Sequence, residues 1–249
     1  MKKLLILLLC LTLIASAFAM CGCKDNLFEG NYYVATYSQI ETIVSTTERA
    51  ENGETFDFNG GLQVNYTSNI GSIDFNMSFK SVAKNFSLAM QGEACMTSSA
   101  EGSVADRRFI YYFDDYSYTQ YMVDNGVVEK EKRRSTPEGL VTSYMYLGED
   151  FFLTLSDLWD ELDDETGVTW SVAESKHYNK VKVEIDTSNA VQTTVATYIY
   201  VYDASYQLVA LSMDVVFTEI RYDNQYTIHL TIKPWQGTIT LPTDLDTYE

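Results

Sequence analysis

The chain has 249 residues, and its 35 acidic side chains outnumber the 17 basic ones to give a formal charge of −18. A surface this acidic repels phosphate backbones and anionic lipid headgroups, so nucleic acid is not an expected partner. With 46% hydrophobic residues the chain can bury a substantial core as one domain, and no Pro- or Gly-rich linker divides it after residue 32.

At the N-terminus Lys2 and Lys3 precede an apolar run from Leu4 to Ile14 and then small residues. That is the layout of a secretory leader, and the run is too short to cross a bilayer. Two cleavage readings follow. Ala17-Phe18-Ala19 is an A-x-A pattern that would release a soluble protein beginning at Met20. Met20-Cys21-Gly22-Cys23 resembles the lipobox of bacterial lipoproteins. That resemblance implies a cut after Gly22, acylation of Cys23 and an extracytoplasmic protein held to the cell membrane by lipid. On this reading residues 1–22 are the leader, 23–31 the anchor and tether, and 32–249 a single domain. Loss of Lys2 and Lys3 takes the charge from −18 to −20, so the acyl chains, worth ~0.8 kcal/mol per buried methylene, must supply the membrane contact. Cys10 and Cys21 leave with the leader and Cys23 is acylated, so Cys95 stands alone and no disulfide framework is expected. Asn65-Tyr-Thr, Asn76-Met-Ser and Asn85-Phe-Ser are glycosylation sequons, which would be active in a eukaryotic secretory pathway.

Further along, Tyr33, Tyr37, Ile40 and Val44 recur at helical spacing and predict an amphipathic helix over 31–51. From Phe56 the period becomes two. Leu62, Val64 and Tyr66, then Ile73, Phe75, Met77 and Phe79, then Phe86, Leu88 and Met90 alternate with polar residues, with a hairpin loop over 81–85 and a loop over 97–104. Strands over 108–114, 116–124 and 127–134 are separated by turns at Asp114-Asp115 and Asn125-Gly126. Leu140, Tyr144, Leu147, Phe151, Leu155, Leu158 and Leu162 form a second helical stripe, with Ser156-Asp157 as a candidate cap. After Gly167 the alternation returns, through Val181–Ile185, Thr197–Tyr202, Val209–Phe217 and Ile228–Ile232, to a last strand ending at Pro242.

Catalytic chemistry has little to stand on. His177 falls in a polar turn and His229 on a solvent face, neither with a second histidine nearby in sequence, and there is no G-x-S-x-G, P-loop or dinucleotide fingerprint. The acidic run from Glu149 to Glu165 lacks calcium-loop spacing and reads as a solvated face. Lys132-Arg133-Arg134, flanked by glutamates, reads as solvated too, and Cys95 has no cation beside it in sequence. No metal, no cofactor and no catalytic residue is expected. The nineteen tyrosines, with Tyr198, Tyr200 and Tyr202 in one row, read as a sheet face partly covered by helix or as a contact surface.

The order of a lipidated cysteine, an amphipathic helix, antiparallel strands, a mid-chain helical stretch and more strands, ending Ile239-Thr-Leu-Pro242, resembles the LolA-like envelope carriers and their LppX-type lipoprotein relatives. The resemblance implies an α+β fold, a strongly curved antiparallel half-barrel wrapped around its helices with room for acyl chains between them. The apolar strand positions Phe75, Met77, Phe79, Phe86, Leu88, Met90, Leu211 and Met213 are the expected lining. The function so implied is non-enzymatic binding of a hydrophobic small molecule or lipid. The alternatives are a protein-interaction scaffold with a filled core, which would use the tyrosine rows against an unidentified protein partner, and a carbohydrate-binding module.

Overall fold

Alternation of apolar and polar residues governs the architecture. In a computed structural model that describes residues 27–50, 57–84, 87–99, 104–123, 125–135, 154–162 and 165–249, twelve strands form one open antiparallel sheet. The leader, Cys23, Phe86 and the Leu140–Phe151 part of the second helical stripe lie outside the described residues.

One meander runs through β2 (Phe58–Ser68), β3 (Gly71–Lys84), β4 (Ser87–Ser98), β5 (Val104–Phe113), β6 (Tyr116–Met122) and β7 (Val128–Arg134). A second comprises β8 (Val168–Glu174), β9 (Asn179–Ser188), β10 (Gln192–Tyr202), β11 (Leu208–Glu219) and β12 (Asn224–Pro234). Pairing of β12 with β2, Leu230 opposite Leu62, stitches the two into one sheet. The two-residue β1 (Tyr33–Val34) pairs with β8, leaving β1 and β7 as the edges. Two helices, α1 (Tyr37–Ala50) and α2 (Leu155–Leu162), are found among the described residues.

Both helices start on a reciprocal cap. Thr36 Oγ1 accepts from the Gln39 N–H at 3.4 Å while the Thr36 N–H donates to Gln39 Oε1 at 2.9 Å. Thr154 and Asp157 repeat the arrangement at 3.1 and 3.0 Å. These boxes correct two expectations. The first helix begins at Tyr37, so Tyr33 falls in β1, and the second is capped by Thr154 with Asp157 as its return partner, where Ser156-Asp157 was expected. Two loops are also shorter than expected, since β3 runs to Lys84 and β4 to Ser98. The turns at Asp114-Asp115 and Asn125-Gly126 form as expected, with Asp114, Asp115 and Gly126 at positive φ.

Chain ends blunt both sheet edges. At the β7 edge the Lys132 N–H donates to the Glu249 carbonyl at 2.7 Å, Lys130 pairs with Asp244, and Tyr248 packs edge-on against Tyr118 at 5.6 Å. Residues 237–242 make no strand, contrary to expectation, and the chain saves its edge pairing for Glu249. Lys132-Arg133-Arg134 lies in this edge strand, where Arg133 pairs with Glu131 and Lys132 sits over the Tyr116 ring at 4.3 Å. At the other edge residues 28–32 lie on the sheet face away from the helices. Lys180 Nζ donates to the Glu29 carbonyl at 2.5 Å, and the Tyr32 hydroxyl donates to the Phe28 carbonyl at 2.9 Å. Burial pushes the Tyr32 phenol up to about 12.

The core sits between the helices and the facing side of the sheet. Trp159 of α2 meets Tyr37 of α1 at 4.8 Å and Trp170 of β8 at 5.1 Å, and Ile40, Val44, Leu155 and Leu158 are fully or nearly buried in the same cluster. Farther along the sheet the Phe79 ring lies across Gly60, where an added Cβ would also sit 2.9 Å from the Thr231 carbonyl. Gly61, one residue on, faces the other side and has room, its nearest neighbour being the Met77 carbonyl at 3.8 Å.

Two expected outcomes test this arrangement. Gly60→Ala should cost about 1–3 kcal/mol in urea unfolding by displacing Phe79, whereas Gly61→Ala should be close to neutral; equal effects would contradict the assignment of faces. For Tyr32, above pH 10 the unfolded chain has released a phenolic proton that the folded chain still holds. Stability should therefore fall as pH rises from 10 to about 12, and Tyr32→Phe should flatten that part of the stability–pH curve relative to the wild type.

Candidate apolar site on the helix side of the sheet

Cross-strand register decides which of the expected lining residues meet. One row on the helix side runs Trp170, Val183, Tyr198, Met213, Leu230, Leu62, Met77 and Ala94, one residue from each strand from β8 to β4. The adjacent row runs Val172, Val181, Tyr200, Leu211, Ile232, Gly60, Phe79, Gly92 and Ile110. Met213 and Met77 thus share the first row, and Leu211 and Phe79 the second. β11 and β3 are three strand spacings apart, about 14 Å. Residues directly opposite in antiparallel strands point to the same side, so these four converge on one apolar surface.

Phe75 lies on a third row with Ile228 and Val64 and is half-buried, whereas Met77, Phe79, Met90, Leu211 and Met213 are buried. Met90 stands opposite Ser81, which stands opposite Phe58. Leu88 is placed opposite Ala83 by register; its side chain, like all of Phe86, lies outside what is described.

The apolar rows end at β5. Ala94 is followed in register by Arg108, Tyr121 and Glu129. Arg108 grips Asp106 at 2.6 Å and lies 5.0 Å from the Tyr121 ring centre, and the Tyr121 hydroxyl donates to Glu129 at 2.7 Å. The hydrogen bond to Glu129 holds the Tyr121 phenol above its ordinary range. This charged group borders the apolar surface.

Two polar atoms stand out within that surface. Ser81 Oγ and Trp170 Nε1 are fully enclosed and have no hydrogen-bond partner among the described residues. Buried donors are normally satisfied, and an unpaired one costs free energy. Sequence reasoning passed over both: Ser81 was read as loop, and Trp170 sits in β8, whose residues are buried on both faces and do not alternate.

The tyrosine row is part of the core. Tyr200 and Tyr202 are buried with their rings stacked at 6.5 Å, and burial, followed by Glu161 of α2, raises the Tyr198 phenol. The row is therefore unavailable as the contact surface of the scaffold reading. His229 is exposed as expected and pairs with Asp214 on the other face; His177 is exposed in the β8–β9 turn. From Asp214 the row on that face continues through His229, Gln63, Asn76, Cys95 and Arg107. Cys95 thus does have a cation beside it, across the strand where sequence spacing could not show it, but Arg107 is paired with Glu93. A shallow depression of about 450 Å³ opens there, between Gly61, Ser78, Glu93 and His229. Its polar lining offers nothing to a hydrocarbon chain.

No family model matches the chain, and no curated protein matches it. Among solved structures it is similar to a DUF1329 family protein from Desulfovibrio piger, at 10% identity over 82% of this chain and 95% of that one, with a TM-score of 0.28. It is also similar to a putative outer membrane lipoprotein-sorting protein domain from Vibrio parahaemolyticus, at 7% identity over 82% and 95%, with a TM-score of 0.31. The resemblance read from element order thus reappears among solved structures as a likeness to a lipoprotein-sorting domain; at these TM-scores it carries no argument about the site.

Proposed function

We propose that the chain is a lipid-anchored, extracytoplasmic envelope protein, not an enzyme, that shelters an apolar ligand such as an acyl chain between a curved sheet and its helices. The observation that carries this reading is the extent of the apolar face. Twelve strands span about 50 Å, while α1 and α2 are about 21 and 12 Å long, and their ring contacts fall on Trp170 at the β8 end. The rows through Met213, Met77, Leu211 and Phe79 continue well past that contact. Methionine is unbranched and adapts to irregular partners, which suits a lining that accepts chains of different shape. Ser81 Oγ and Trp170 Nε1 are donors that a ligand's ester or hydroxyl group would satisfy, and the Arg108–Asp106–Tyr121 group would border its polar end. Attachment to the membrane rests on Cys23 and the leader pattern.

Native mass spectrometry of the purified protein, followed by solvent extraction, is the direct test. The expected result is one apolar molecule per chain, released on unfolding; a ligand-free mass, together with no uptake of a fluorescent fatty acid, would end the carrier reading. Anchorage is checked separately by expression in a bacterial host with globomycin, which blocks lipoprotein processing. A precursor should accumulate there, whereas an unmodified product beginning at Met20 would refute acylation.

A further inference from the structure

Antiparallel connectivity divides the hairpin turns between the two ends of the sheet, and the two ends differ in kind. At one end lie the turns between β8 and β9, β10 and β11, and β5 and β6. They carry Lys176 and His177, Asp203–Gln207, and Asp114-Asp115. Their chemistry is ordinary turn chemistry: Asp203 Oδ1 accepts from the backbone N–H of Ser205 and of Gln207 at 2.7 and 3.0 Å.

At the other end the tips are apolar. Ile70 lies between β2 and β3, Val191 between β9 and β10, and Ile220 and Tyr222 between β11 and β12; Met122 and Val127 flank the β6–β7 turn. All six are more than half exposed, Ile70 at 81% and Met122 at 69%. Met122 also borders a depression of about 540 Å³ with Phe109 and Val128. The turns themselves do not require these side chains. Asn189 Oδ1 accepts the Val191 and Gln192 N–H groups, Asn125 Oδ1 accepts the Val127 N–H, and the positive φ angles fall on Asp223 and Gly126. The conformational work is done by the polar residues, so the apolar neighbours are free of any folding role.

We propose that this end of the sheet is a membrane-contact edge whose apolar tips seat in the interfacial region of a zwitterionic lipid surface. The tips belong to four separate hairpins spread from β9 to β7, about 48 Å of sheet at the usual strand spacing. A protein partner would need a surface matched to all four at once, whereas a fluid bilayer accepts separated insertions at one level. Tyr222 with the Arg221 guanidinium 5.5 Å from its ring has the apolar body and polar end that settle at headgroup depth. The chain's acidic balance selects uncharged headgroups, since an anionic surface would repel it. The contact is distinct from anchorage through Cys23. Residues 28–30 leave the body beside Ala173, Lys180 and Lys233, at the end with the polar turns.

The test uses the full chain with phosphatidylcholine vesicles that carry a photoactivatable diazirine within the acyl region, followed by peptide mapping. Label is expected on the peptides holding Ile70, Val191, Ile220–Tyr222 and Met122–Val127, and not on those holding Asp114-Asp115 or Asp203–Gln207. Combining Ile70→Asp, Val191→Asp and Ile220→Asp should reduce tip labelling by about tenfold or more while leaving the thermal midpoint unchanged, because all three positions are exposed. Label confined to residues 1–26 would overturn this proposal and leave the anchored-carrier reading standing. Tips that stay unlabelled while sedimentation shows a concentration-dependent dimer, lost in the triple variant, would assign the edge to a second copy of the chain and overturn it equally.

Discussion

Everything in this fold depends on antiparallel register being kept across twelve strands. A slip of one residue between any two of them would turn Met77, Phe79, Leu211 or Met213 to the polar side and bring Gln63, Asn76 or Asp214 under the helices. The alternation is strict enough to forbid this in most strands. Where it lapses other devices act: the irregularity between Val201 and Tyr202 lets β10 pass Tyr202 opposite Leu208, and Gly60 yields its side-chain volume to the Phe79 ring.

Two consecutive meanders need only short turns, so most of the sheet forms from local pairings. The contact that makes one sheet of them is non-local, β12 against β2, joining residues more than 150 positions apart such as Ile228 and Val64. The long open sheet that results has two edges exposed to association. One is covered by β1 and the segment that crosses Ala173 and Lys180, the other by the chain's last residues bonded to Lys130 and Lys132. Both chain ends are thus structural, and the faces and turns are left to carry function.

The polarity of the surfaces divides by direction. Across the strands the helix side is apolar until Arg108, and along the strands the turns are polar at one end and apolar at the other. A protein that handled only water-soluble partners would gain nothing from either gradient. Both suit a molecule working next to lipid, one as an apolar shelter and the other as a contact edge.

Much of this was legible in the residues themselves. The period-two rhythm from Leu62 to Phe79 and from Val181 to Ile232 fixed the strand class and correctly put Met77, Phe79, Leu211 and Met213 on buried faces, because in a sheet the direction of a side chain follows from parity alone. The turns at Asp114-Asp115 and Asn125-Gly126 were equally readable, since their backbone angles demand those residue types. Only the tertiary structure could decide who stands beside whom. That Met213 reaches Met77 across Leu230 and Leu62, that Arg107 neighbours Cys95, that the tyrosine row is core, and that six apolar residues on four hairpins share one end all depend on strand order. Strand order is set by long-range pairing energy, which leaves no local periodic trace. Tyr33 in a strand, Trp170 in a doubly buried one and Glu149 to Glu165 partly spent on a helix cap through Asp157 were misread or missed for the same reason: their roles come from what packs against them.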